Sequence, residues 1–593
     1  MPSIVPQLNP EQKHAAEAPI SPLLIVAGAG TGKTRTLTTR IVHLIGCGIP
    51  PDKICAITFT NKAAQEMKER VARMHAGGKP GPYIGTFHAL GARILRQECR
   101  VFGREPNFVI FDDHDSFDLV KKAVKAISPK DGADEKKRKE APTLFAKKIS
   151  EIKNLDGVPA DPKVKIVFDA YEAALQRNNA FDFDDLIEKP VALFRKHPEI
   201  LKKYQNRFDA ILVDEYQDIN PKQYDLIRLL AGGHGNLTVV GDDEQTIYTW
   251  RHADIRIFLG FEKDWPKAAV HFLEENYRST GNIIRAASAV VHNNKFRTPK
   301  QLWTKQEDGG PITLYEAWGE NDEAAWIARQ LMELRSAPAF GAGASIAILY
   351  RTNAQSRAIE QALIRENIPY KIFGGLKFYE RREVKDAVAA LRYAANGKDE
   401  LSRERLEKNL SKRKFAEFRG ALIALANPKP ADVIKAFLEV FGYFDYLENN
   451  FINADERQEN IAELTAFASG FEDLPELLER LSLLQATDDE NAETGERGAE
   501  AKNAVHLSTI HMAKGLEFDA VFIAGAAEGL LPHIRSIESD ESLEEERRLM
   551  YVAMTRARKS LSISFYGLPS RFIAEIPEDC LRLVEADEKS VRY

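Results

Sequence analysis

The stretch Leu23-Leu24-Ile25-Val26-Ala27-Gly28-Ala29-Gly30-Thr31-Gly32-Lys33-Thr34 decides how this chain is read. Its first four residues are too few for a buried helix and suit a strand covered on both faces; the glycines after them let the backbone fold tightly around an anion. The pattern is G-x-x-x-x-G-K-[ST], with Ala27 where the first glycine would stand. It predicts a phosphate-binding loop running from Ala27, Gly28, Ala29, Gly30 and Thr31 through Gly32, Lys33, Thr34 and Arg35. Backbone N–H groups of Gly30, Gly32 and Lys33 would point at phosphate oxygens, and the Lys33 ammonium would reach the terminal phosphates. The Thr34 hydroxyl would ligate Mg²⁺ where the following helix begins.

Outward from this loop the sequence alternates apolar runs with helical patterns, as a parallel sheet flanked by helices requires. Strands are expected at Ile54–Phe59, Tyr83–Thr86, Ala210–Asp214 and Leu237–Gly241. From Gly91 to about Ala180 the texture turns helix-rich and charged, with a solvated loop expected at 131–140. A second alternating series has strands at Ile312–Tyr315, Ala344–Tyr350, Val505–Leu507 and Ala520–Ala524. Mostly helical residues from Arg381 to Asn503 interrupt it, ending in a polar stretch at 486–500 that reads as a linker. The fold class is α/β: two parallel-sheet P-loop cores, each with a mostly helical inserted subdomain. The first core is 1–90 and 181–276, with its insertion at 91–180; the second is 277–380 and 504–593, with its insertion at 381–503. A length of 593 residues agrees with this division, since about 150 residues per domain gives roughly four units.

Composition is that of a soluble globular protein, with 44% hydrophobic and 29% charged residues. A net charge of −6 offers no overall attraction to a polyanion, so any nucleic acid must be held in a local groove. The four cysteines form no C-x-x-C pair, which argues against a disulfide framework or a zinc site and for a reducing, cytoplasmic home. No leader and no apolar run of membrane-spanning length is expected.

A second chemical pattern stands at Ala210–Asp218, AILVDEYQD. At the carboxyl end of a parallel strand one acid can hold Mg²⁺ while its neighbour orients and deprotonates a water for attack on a γ-phosphate. Asp214 suits the metal role and Glu215 the water role.

Further strings then accumulate in order: LNPEQ, ITFTNKAAQEM, IGTFHAL, FDFDDL, VVGDDEQTIYTWR, NYRST, YRTNAQSR, TIHMAKGLEF, LPH and EEERRLMYVAMTRARKSL. With AGAGTGKT and VDEYQD they span nearly the whole chain, which resembles a superfamily 1 DNA helicase of the UvrD/Rep/PcrA group. That resemblance implies RecA-like cores, ATP and Mg²⁺ as cofactors, and 3′→5′ travel on single-stranded DNA. Gln12 resembles the family's adenine-reading glutamine, Tyr277 would stack on the adenine, and Glu517 would contact the ribose. Gln245 would sense the γ-phosphate and the attacking water, and Arg278 and Arg556 resemble two arginine fingers delivered from the second core. For the DNA track, Trp250 is the leading stacking candidate, with Tyr248, Phe59 and Phe87 as lesser ones. Thr86, His88, Arg251, Asn353 and His511 would hold backbone phosphates or sugars.

The chain departs from the pattern in places. The second insertion reads as shortened, and around Asn396–Gly420 it lacks the Gly-Ile-Gly turn with which the family touches duplex. His252 and Met512 stand where small residues are usual, and the family's long C-terminal extension is not expected. The sequence supports a helicase acting in repair or replication restart on single strands and junctions, as a monomer or weak dimer. A translocase that strips proteins from single strands with weak unwinding, an ATP-switched DNA-binding module, and RNA as the track stay open as alternatives.

Overall fold

The computed structural model describes residues 8–75, 81–127, 142–155, 161–337, 340, 343–373, 378–395, 397, 399–409, 411–425, 428–474, 476–478 and 504–586. The runs at 131–140 and 486–500, expected as a loop and a linker, lie outside the described residues.

The apolar run after Pro22 is strand β1 (Leu23–Ala27), and it sits inside a sheet with β2 (Ile54–Thr58), β3 (Tyr83–Thr86), β4 (Ala210–Val213), β5 (Leu237–Gly241) and β6 (Ala269–Leu273). The order is β3-β2-β4-β5-β1-β6 and every pairing is parallel. Helices cover both faces of such a sheet, so its inner strands need no polar face; all of β1, β2, β4 and β5 is buried. The order has a functional consequence. It sets the carboxyl ends of β4, β5 and β1 side by side, the position where open α/β sheets bind ligands.

Helix Phe87–Glu98 belongs to this core, because Phe87, Leu90 and Ile94 pack with the sheet. It crosses helix Asp185–Lys196 so closely that a Cβ on Gly91 would meet the Leu186 carbonyl oxygen at 1.7 Å. The insertion therefore starts after this helix and not at 91. Its helices, Asp113–Ile127, Pro142–Leu155 and Pro162–Arg177, close around Phe145, Val167 and Leu175.

The chain divides into two compact units, one of residues up to Asp308 together with Arg547–Tyr551, the other of Gly309–Glu546 with the residues after Tyr551. This boundary lies later than the one expected at 276/277. Residues 277–308 stay with the first unit because the backbone N–H of Tyr277 donates to the Gly30 carbonyl at 3.0 Å and Lys300 is buried among Asp242, Asp243 and Glu244.

The second unit carries β7 (Ile312–Ala317), β8 (Ile346–Tyr350), β9 (Tyr370–Ile372), β10 (Val505–Thr509), β11 (Phe518–Ile523), β12 (Ala557–Tyr566) and β13 (Leu581–Glu585). Their order is β9-β10-β8-β11-β12-β7-β13, again wholly parallel. Strands β6, β9, β12 and β13 were not read from the sequence. Beside the sheet, six helices between Arg382 and Ala468 build their own core around Leu406, Phe418, Phe437, Tyr443 and Leu464. Arg381 ties this insertion to helix Ser356–Arg365, donating to Asn460 Oδ1 at 2.8 Å and Ser356 Oγ at 3.0 Å. Among the described residues no helix is long and apolar enough to cross a membrane.

Glu323, in helix Glu320–Ser336, is buried and accepts the Gly525 N–H at 2.8 Å. Burial pushes its carboxyl up from 4.5 to about 7, against the hydrogen bonds from Gly525 and Ser564. The folded value lies above the unfolded one, so the folded state holds the extra proton between them. Stability is therefore lost as pH rises through this window. Glu323→Gln is expected to stabilise the second unit by ~1–3 kcal/mol at pH 8 and by little near pH 4. Melting curves at both pH values check this; an unchanged pH dependence would show that Glu323 folds ionised.

Candidate nucleotide and nucleic-acid sites

The phosphate loop is shaped by two glycines in the left-handed region, Gly30 at φ 67° and Gly32 at φ 84°. Gly32 is the residue before helix Lys33–Gly46, so the loop's N–H groups and the helix N-terminus converge where an anion would lie. Space is as restrictive as conformation. A Cβ on Gly30 would meet Asn276 Nδ2 at 2.6 Å, and one on Gly28 would meet the Leu302 side chain at 2.1 Å. Asn276 Nδ2 donates to the Ala29 carbonyl at 2.6 Å, and the Thr31 hydroxyl donates to the Gly28 carbonyl at 2.9 Å. Ala27, in place of the usual glycine, is the last buried residue of β1 and causes no conflict there.

Opposite the loop stands the end of β4. Glu215 takes a left-handed backbone, φ 52° and ψ 44°, a conformation unfavourable for a side chain other than glycine and typical of functional turns. Its carboxylate reaches Lys33 Nζ at 3.7 Å. Asp214 is buried, and burial, reinforced by the Glu215 charge, raises its carboxyl to about 7 although Lys33 and the Thr34 hydroxyl favour the anion. A carboxylate and a hydroxyl, both hard oxygen donors, fit Mg²⁺ held between protein and phosphates. A cation there would supply charge neutralisation of the phosphates.

Sequence reasoning missed Gln217. Its Nε2 donates to Glu215 Oε2 at 2.7 Å, and its Oε1 accepts the Asp242 N–H at 3.0 Å, so one carboxamide joins the ends of β4 and β5. Only its place two residues after Glu215 pointed to it. Gln245 is buried and donates from Nε2 to Asp242 Oδ2 at 2.6 Å. Gln12 is also buried; its Nε2 donates to the Thr31 carbonyl at 2.8 Å, and Asn9 and Gln12 form the capping box of helix Pro10–Ala16. Asn9 donates to Glu275 Oε2 at 3.0 Å and the exposed Tyr277 donates its hydroxyl to the same oxygen at 2.8 Å. Gln12 and Tyr277 thus flank one corner of the loop. Arg278, expected on the second core, lies in the first unit with its Cβ 2.8 Å from where a Gly30 Cβ would be. Arg35 follows Thr34 in the first turn of the helix.

The segment after Gln245 leads to an aromatic platform. Phe59 stacks on Tyr248 with centroids 5.5 Å apart and planes 12° from parallel, and Tyr248 meets Trp250 edge-on at 6.1 Å. Trp250 is 61% exposed, and the Arg251 guanidinium lies 4.6 Å from its ring. Phe87 is corrected: it is buried in the core, where no base can reach it. Thr86 is also buried and caps the following helix, accepting the Ala89 N–H at 3.2 Å. His88 lies 5.2 Å from the exposed ring of Phe183, a residue of FDFDDL that sequence reasoning left unassigned.

In the second unit Arg556 is buried and donates to the carbonyls of Val552 at 2.9 Å and Leu516 at 3.1 Å. Glu517 pairs with Arg558. Asn353 donates to Glu456, which lies on helix Ala454–Ala468 of the insertion. Burial, with Arg351 and Lys514 nearby, lowers His511 to about 3, and burial likewise lowers His88. Both histidines are neutral near pH 7 and can offer a hydrogen bond but no charge to a phosphate.

A wholly parallel sheet with a glycine loop after β1 and paired acids after β4 defines a P-loop nucleotide-hydrolysing core. The family model for the UvrD/REP helicase N-terminal domain matches residues 8–266, and that for the UvrD-like helicase C-terminal domain matches 271–429 and 431–567. The chain belongs to the UvrD/REP helicase family. It is 40% identical over 649 aligned positions to the ATP-dependent DNA helicase PcrA of Staphylococcus aureus (strain Mu50), covering 98% of this chain and 88% of that protein. The PcrA helicase of Staphylococcus epidermidis (strain RP62A) matches at the same identity and coverage.

Proposed function

We propose that this helicase couples ATP hydrolysis, with Mg²⁺ held by Thr34 and Asp214, to 3′→5′ movement along single-stranded DNA. It opens duplex at single-strand junctions during repair or replication restart, acting in the cytoplasm as a monomer or weak dimer. ATP and DNA follow from relatives that are ATP-dependent DNA helicases. In this reading Lys33 neutralises the terminal phosphates, Glu215 orients and deprotonates the attacking water, Gln245 senses the γ-phosphate, and Arg278 and Arg556 stabilise transition-state charge.

One observation carries the coupling. Glu215 is joined through Gln217 to Asp242, Asp242 holds Gln245, and the same segment runs on within five residues to Trp250. A change at the γ-phosphate therefore has a short covalent and hydrogen-bonded route to the base-stacking ring. Because stacking is worth ~1–3 kcal/mol per base, Trp250→Ala is expected to weaken single-stranded DNA binding about 5- to 150-fold, measured by anisotropy of a labelled oligonucleotide. Unchanged affinity would remove Trp250 from the track.

The deciding experiment is strand displacement on partial duplexes with a 3′ or a 5′ single-stranded tail, with ATP and Mg²⁺. Opening only from the 3′ tail is expected. DNA-stimulated ATP turnover without displacement from either tail would favour the stripping translocase, and absence of turnover the ATP-switched module. Stronger stimulation by a matched RNA strand would make RNA the track.

A further inference from the structure

Lys300 has no role in the reading above, yet its side chain is wholly buried against the γ-phosphate-sensing segment. Its Nζ lies 2.9 Å from Asp242 Oδ1, 2.7 Å from Asp243 Oδ1 and 3.0 Å from Glu244 Oε2. The arrangement is held from both sides. Thr298 donates its N–H to Asp243 Oδ2 and its hydroxyl to Asp243 Oδ1, both at 2.7 Å, and Arg297 reaches Glu244 Oε1 at 3.3 Å. The three carboxylates keep the ammonium charged in spite of burial, its pKa well above that of an ordinary lysine.

Asp242 is the shared element. One oxygen faces Lys300, the other accepts Gln245 Nε2 at 2.6 Å, and its backbone N–H donates to Gln217, which holds Glu215. Three successive buried acids on one lysine form a costly arrangement that packed apolar residues could replace without loss of stability. What such a cluster supplies is orientation: it allows the Asp242 carboxylate, and with it the Gln245 carboxamide, one position.

We propose that Lys300 is a positioning residue for ATP hydrolysis, acting through Asp242 to hold Gln245 toward the γ-phosphate. This rests on the reading of Gln245 as the γ-phosphate sensor. Lys300→Arg keeps the charge but replaces a point donor by a wider planar fork, which displaces the three carboxylates. Misplacement of about 1 Å at a reacting centre can cost ~10²-fold in rate.

The test measures kcat and KM for ATP, with saturating single-stranded DNA, in the full chain. Lys300→Arg is expected to lower kcat by about tenfold or more with KM for ATP changed less than about threefold. The Lys300→Arg/Gln245→Ala double variant is expected to be no slower than Gln245→Ala alone, since a residue acting only through Gln245 has nothing left to act on. If Lys300→Arg does not fold, Lys300→Met/Glu244→Gln removes one charge of each sign from the cluster and is compared in the same way. A kcat within about twofold of the parent, or losses that multiply in the double variant, overturns the proposal and leaves Lys300 a structural brace. Full turnover by Gln245→Ala would instead overturn the sensor reading itself, and the role of Lys300 with it.

Discussion

Lys33→Ala is expected to abolish ATP turnover, lowering DNA-stimulated kcat by at least about 10³-fold, or ~4 kcal/mol of transition-state stabilisation. The ammonium sits at the start of the helix that follows the glycine loop and is largely shielded from solvent, where its charge would act on bound phosphates in a low dielectric. Alanine leaves the helix and the glycine turns in place, because neither Gly30 nor Gly32 depends on the Lys33 side chain for its conformation. DNA binding without nucleotide is therefore expected to persist within a few-fold. Turnover within tenfold of the parent would remove the phosphate-loop assignment, whereas loss of DNA binding as well would point to a folding defect, which a melting curve would reveal.

Glu215→Gln should separate ATP binding from hydrolysis. Glutamine keeps the size of the side chain and can still meet Gln217, but it carries no charge for Lys33 and accepts no proton from water. Positioned proton transfer contributes ~10²–10⁴-fold, so kcat is expected to fall by about that much while a slowly hydrolysed ATP analogue binds as before. The left-handed backbone at residue 215 is equally demanding for either residue, so folding stability should change little. A variant that keeps more than about a tenth of parental kcat would transfer the base role elsewhere.

Local structures set by immediate neighbours in the chain were legible in the sequence. The strand-loop-helix around Lys33 and the strand-acid turn around Asp214 and Glu215 are local structures. Their strands read as unbroken apolar runs because parallel sheets bury both faces. Lys300 carried no such mark, since TPKQLWT has the texture of an ordinary loop and the acids that surround the lysine lie more than fifty residues earlier. Gln217 stood in plain view within VDEYQD, but its link to Asp242 depends on β4 and β5 being neighbours, a fact of sheet order. Phe59 and Phe87 mark the limit well. Each follows a strand, yet Phe59 turns out to stack on Tyr248 while Phe87 begins a helix whose inward face fills the core.

By itself the sequence determined the class of protein, with helicase motifs in their order along a chain of two α/β cores, and it named the candidates for a phosphate loop and paired acids. Only the tertiary structure decided which of those residues meet. It set three strand ends abreast, assigned residues 277–308 to the first unit, took Phe87 from the proposed DNA track, and enclosed Lys300 among the acids before Gln245. The physical reason is that strand order and helix crossing are settled by packing among segments distant in the chain. A side chain's burial and partners are properties of that packing and not of its neighbours in sequence.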